Sequence, residues 1–129
     1  AIFQLLRSID DSIEILDLIN SYGKEFVKLN DNEKYQSTRQ LGYLRIIDNY
    51  YIQRQCKLAE QYRAEFETLF APETIGGYVS NSFLESIYSR ASLYYFRENK
   101  ISSSRAVLNS GLKYVPNSID LKSKLNALK

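Results

Sequence analysis

Histidine and tryptophan are absent from the chain, cysteine occurs once, at Cys56, and proline only at Pro72 and Pro116. Without imidazole the chain lacks the commonest general base and the commonest nitrogen ligand for metals. A lone thiol can form neither an intramolecular disulfide nor a cysteine metal site. No GxxxxGKS loop, GxSxG elbow or HExxH helix occurs either. Enzymatic function has nothing to stand on, and no cofactor is expected. No apolar run approaches the roughly 20 residues that span a bilayer. No basic segment followed by an apolar one marks a signal peptide. The expectation is a cytoplasmic protein without a membrane span; the start at Ala1 rather than Met leaves a mature form or a fragment of a longer protein open.

What is present suits one soluble all-α domain over residues 1–129, with 44% apolar and 25% charged residues. The net charge of +2 is unevenly spread. Residues 1–32 hold three basic side chains against six acidic ones, whereas residues 71–129 hold eight against four. The C-terminal end is therefore the one to meet an acidic partner.

Apolar residues recur at three- and four-residue steps from Ile2 to about Leu29, which predicts one long helix with a weak point at Gly23. Asn30-Asp31-Asn32 reads as a turn in which Asp31 or Asn32 caps the next helix. Residues 33–70 keep the helical period with one glycine and no proline, so a second long helix is expected to pack antiparallel to the first. Residues 1–70 thus form a helical hairpin. Ala71 to Gly77, with Pro72 and a glycine pair, is the clearest break. Beyond it, residues 78–129 predict helices over 82–99 and 102–114 and a last helix after Pro116. Asn81 or Ser82 is the expected cap of the first, with Glu85 in capping-box position, and Ser102 or Ser103 that of the second.

With Pro116 placed at a closing position, Tyr88, Ala91, Ser92, Tyr95, Ser104, Leu108 and Gly111 fall into a large-and-small register over Glu85–Ser118. Two antiparallel helices approach closely only where small side chains face each other. Ser92, Ser104 and Gly111 supply those, while Tyr88, Tyr95 and Leu108 fill the space between. This stretch resembles a tetratricopeptide (TPR) repeat of about 34 residues, with Ala91 and Ser104 departing from the usual leucine and alanine. Leu41-Gly42 and Leu58-Ala59 are similar to fragments of a second repeat, but no turn signal separates them. The last helix reads as the polar-backed cap of such an array.

The resemblance implies a superhelix of paired helices whose first helices line a groove for a peptide or partner helix. Carried onto this chain, the groove-facing residues are Ser86, Ser89, Arg90, Leu93, Phe96 and Arg97. Arg90 stands where some members place a carboxylate-clamping arginine; Ser86 replaces the lysine that accompanies it there. The bland reading is that Arg90 and Arg97 solvate an exposed face. Asp10, Glu14 and Asp17 share a helical face, but with no histidine to complete a site they read as solvated acids. The leading expectation is a non-enzymatic protein-interaction module or scaffold that binds a peptide or helix of a partner or of its own parent chain. The alternative is a helical structural or homo-oligomerising element. RNA binding through Tyr94, Tyr95 and Phe96 with interleaved basic residues ranks third, because acidic residues interrupt that surface.

Overall fold

The computed structural model describes residues 8–128. Among them are six α-helices and no strand: α1 Ile9–Glu25, α2 Glu33–Ile52, α3 Cys56–Leu69, α4 Asn81–Arg97, α5 Ile101–Tyr114 and α6 Ile119–Ala127. The fold is all-α. The early apolar residues Ile2, Leu5 and Leu6 lie outside the described residues. None of the described helices is long and apolar enough to cross a membrane. The chain divides between Val79 and Ser80 into two compact units.

In the first unit α2 packs against both α1 and α3. Helix α1 runs through Gly23 and stops at Glu25, followed by a 3-10 turn over Val27–Asp31. Asn32 caps α2 by accepting from the Tyr35 amide at 2.9 Å. Because α2 has neighbours on two sides it buries Leu41, Tyr43, Leu44, Ile46, Ile47, Tyr50 and Tyr51 rather than a single stripe. The continuous helix expected over 33–70 is two helices. They are separated at Gln53-Arg54-Gln55, where Arg54 adopts φ 62°. The Arg54 amide donates to the Tyr51 carbonyl (3.0 Å) and the Gln55 amide to the Tyr50 carbonyl (2.9 Å), which closes the end of α2 on a left-handed residue. Aromatic rings fill the α2–α3 seam. Tyr62 lies 5.7 Å from Tyr50 and 6.3 Å from Tyr43, and Phe70 lies 5.8 Å from Tyr43.

The segment after α3 is tied back to α2. Gln40, fully buried, donates to the Thr74 carbonyl and accepts from the Gly76 amide, each at 2.9 Å. A Cβ at residue 76 would lie 1.6 Å from the Ser37 hydroxyl oxygen and 2.9 Å from its Cβ, so any larger residue there would displace Ser37.

The second unit packs α4 on α5 and α6 on both. Ser80, not Asn81 or Ser82, caps α4, accepting from the Phe83 amide at 3.1 Å. Helix α5 has no side-chain cap, so Ser102 and Ser103 do not serve as one. Its entry comes directly from a left-handed Asn99 (φ 59°), whose amide donates to the Phe96 carbonyl (3.1 Å) while the Lys100 amide donates to the Tyr95 carbonyl (2.9 Å). Ser92, Ser104 and Gly111 are buried at the α4–α5 contact. A Cβ at residue 111 would lie 2.8 Å from both Cβ and Cγ of Tyr88 and 2.9 Å from a Leu121 methyl. Tyr88 stacks on Tyr114 at 5.8 Å. Tyr95, expected among the core fillers, is only half-buried.

Candidate functional site

Each of the six expected groove residues sits on α4, so their exposure follows from that helix's register. Ile87, Tyr88, Ala91 and Ser92 face inward and are buried. Ser86 and Ser89 flank them and are half-buried, while Arg90, Leu93, Phe96 and Arg97 are exposed. Leu93 and Phe96 are 43% and 50% exposed. They meet the far end of α6 in a pocket of about 170 Å³ lined by Ser92, Leu93, Phe96, Ser104, Lys124, Ala127 and Leu128. Ser86, Ser89, Arg90 and Arg97 do not line it.

The floor of the pocket is hydrogen-bonded. The Ser104 hydroxyl donates to the Ser92 carbonyl at 2.9 Å. Its one proton being used there, the 2.9 Å contact between the two hydroxyl oxygens has Ser92 as donor. The wall made by α6 is fixed at both ends. Ser118 caps α6 through the Leu121 amide (3.1 Å) and donates to the Glu85 carboxylate (2.7 Å), so the first and last residues of the repeat-like stretch meet. Glu85 thus serves this closure and not the capping box. At the other end Arg105 donates to the Leu128 carbonyl through Nε (3.1 Å) and Nη2 (2.7 Å), satisfying a helix-end acceptor with a cation.

Residues 80–129 carry eight basic side chains and three acidic ones. Of the three, Glu85 is engaged by Ser118 and Asp120 pairs with Lys124, leaving Glu98 exposed at the end of α4. An apolar pocket in a cationic unit is what the second unit offers chemically.

A second feature, in the first unit, escaped the sequence reading. A cleft of about 470 Å³ is lined from three helices, by Asn20, Gly23 and Lys24 of α1, Tyr35, Arg39 and Tyr43 of α2, and Glu65 and Leu69 of α3, with Val27 and Asn30 between α1 and α2. Arg39 donates through Nε to the Asn20 side-chain oxygen (2.7 Å) and through Nη1 to that of Gln36 (2.8 Å). Its guanidinium carbon lies 5.1 Å from the Phe70 ring centre and 5.7 Å from that of Tyr35. The Tyr43 hydroxyl donates to Glu65 at 2.8 Å. Burial, with the hydrogen bond to Glu65 and that residue's charge, pushes the Tyr43 phenol up to about 12, against the opposing pull of Asn20 and Arg39.

Asp10, Glu14 and Asp17 are all exposed, and among the described residues no group of three acidic or thiol side chains is placed to hold a metal. No protein-family model matches the chain, and no curated protein or solved structure is significantly similar to it.

Proposed function

We propose that the chain is a non-enzymatic, TPR-like interaction module whose α4–α6 face holds an acidic segment of a partner protein by one apolar anchor side chain. The observation that carries this reading is the pocket beneath Leu93 and Phe96. Its volume of about 170 Å³ is close to the roughly 150 Å³ of an apolar cavity that takes benzene, so a phenylalanine or leucine side chain fills it. The surplus of basic residues in this unit supplies the charge complement to an acidic segment. Arg97, exposed in the last turn of α4, is the nearest of the expected contacts to Phe96 in sequence. The TPR-like part of the reading is supported by the serine and glycine positions that let α4 and α5 approach, and by the closure of Glu85 on Ser118.

Selection from a library of end-capped peptides on the full chain tests the proposal. The expected winners are acidic with one Phe or Leu, bind more weakly as salt rises, and lose about tenfold or more in affinity when Leu93 and Phe96 are both changed to Ala. Winners of no consistent charge, or affinities indifferent to Leu93 and Phe96, would contradict it.

One observation favours the homo-oligomer alternative: Leu18, Tyr22, Phe26 and Val27 at the end of α1 are 45–70% exposed. A monomeric mass at high concentration removes that reading and leaves the first untouched.

A further inference from the structure

We propose that the cleft between α1, α2 and α3 binds a small zwitterion of the free α-amino-acid class, its carboxylate on Arg39 and its ammonium on Glu65. This inference concerns the first unit alone and is independent of the peptide reading of α4–α6.

The guanidinium of Arg39 is held ready for a ligand. Two neutral side chains, Asn20 and Gln36, fix its Nε and Nη1, and two aromatic rings flank it. Among the described residues no carboxylate pairs with it. Its Nη2 is left as a donor for a carboxylate oxygen. Glu65 is held in a complementary way. One carboxylate oxygen accepts from Tyr43, and no cation among the described residues pairs with it, so the other oxygen can accept from an ammonium.

Opposite charges that line one cleft would ordinarily pair. Here each is bound to neutral partners instead, with Asn20 and Tyr43 among them. The Tyr43 phenol responds to both charges in opposite senses, which places it within electrostatic reach of each. A ligand bearing both signs joins Arg39 to Glu65 and satisfies both. The cleft volume of about 470 Å³ lies inside the usual range for small-molecule sites and exceeds what an amino-acid backbone needs. Val27 and Leu69 offer apolar surface to the ligand's side chain, and Lys24 adds a second positive charge, which favours neutral or acidic side chains over basic ones.

Titration of the isotopically labelled full chain with free amino acids, followed by NMR, is the test. At about 10 mM ligand, a Kd of about 1 mM or tighter saturates the site. The proposal predicts saturable shifts of the amides of Asn20, Gly23, Lys24, Arg39 and Glu65 with at least one neutral or acidic amino acid. Its N-acetyl and its amide derivatives should each bind about tenfold or more weakly, as should the parent amino acid to Arg39→Gln and Glu65→Gln. Glu65→Gln keeps an acceptor for the Tyr43 hydroxyl and so spares the seam. Should Arg39→Gln fail to fold, the derivative series on the unaltered chain decides. The proposal is overturned if no free amino acid moves these amides, if the blocked derivatives bind as well as the parent, or if acetate alone does.

Discussion

The α2–α3 and α4–α5 pairs are built on the same turn and filled in opposite ways. Each first helix ends on one left-handed residue, Arg54 or Asn99, with the same two backbone hydrogen bonds closing it. Each second helix then starts without a side-chain cap. Aligned on those residues, Tyr43 corresponds to Tyr88, Tyr50 to Tyr95 and Ala59 to Ser104; Ala59 and Ser104 are both fully buried. The difference lies further along. Where α5 has Gly111, drawn against Tyr88, α3 has the buried Phe66. One pair puts its smallest residue at this place and the other a buried aromatic ring. The lesson is that one turn geometry serves two different fillings.

Changes that reverse the filling break this comparison, and the costliest is in the aromatic seam. Phe66→Ala removes a fully buried ring and should cost about 3–5 kcal/mol, measured by denaturant unfolding. Gly111→Val asks the α4–α5 seam to accept a bulky side chain at the place where α3 holds Phe66. Tyr88 and Leu121 stand under 3 Å from the added Cβ, so overpacking of about 1–3 kcal/mol should outweigh the gain from removing a helical glycine. The same unfolding curve reads it.

Ser104→Ala sharpens the comparison, since Ala59 already occupies the matching place. The shape is tolerated, but the Ser92 hydroxyl loses its acceptor, and the expected loss is about 1 kcal/mol. A double change with Ser92→Ala should cost less than the sum of the two single changes. The turns themselves should respond unequally. Arginine is poorly suited to φ 62°, so Arg54→Gly should stabilise by about 0.5–1 kcal/mol, against a few tenths for Asn99→Gly, because asparagine tolerates that region. The Tyr43 phenol adds no pH dependence near neutrality and a loss only at high pH. Its folded pKa of about 12 exceeds the unfolded value of 10, so its contribution is complete below pH 10 and lost as pH rises toward 12. Tyr43→Phe should flatten that part of the stability profile.

How legible each half was follows from the same comparison. Asn99 at the α4–α5 turn is a residue that signals one, and the split there is read correctly. Gln53-Arg54-Gln55 contains no glycine, proline or asparagine, so the α2–α3 turn is silent and the sequence reads as one helix across it. The cap at Asn32 is legible because an asparagine–aspartate run falls between two helical periods. Ser102 and Ser103 look like caps, but α5 already starts at Ile101, so both serines lie inside its first turn. The small set at Ser92, Ser104 and Gly111 is legible because it lies within one helical pair. Asn20, Arg39, Tyr43 and Glu65 come from three helices, so no local spacing announces them. The one available hint is Arg39 beside Gln40 in the interior of a largely buried helix. The pocket at Leu93 and Phe96 was half legible: the α4 residues were expected, but the wall supplied by Lys124, Ala127 and Leu128 depends on how α6 folds back.

The central claim is that α4 and α6 hold an apolar anchor within an acidic segment. An acetylated, amidated acidic peptide with a single phenylalanine, titrated into the labelled full chain beside its Phe-to-Ala counterpart, tests it most directly. The account predicts saturable amide shifts at Leu93, Phe96 and residues 124–128, with the alanine peptide about tenfold or more weaker. Equal binding of the two peptides, or shifts that leave α4 and α6 unmoved, would contradict it.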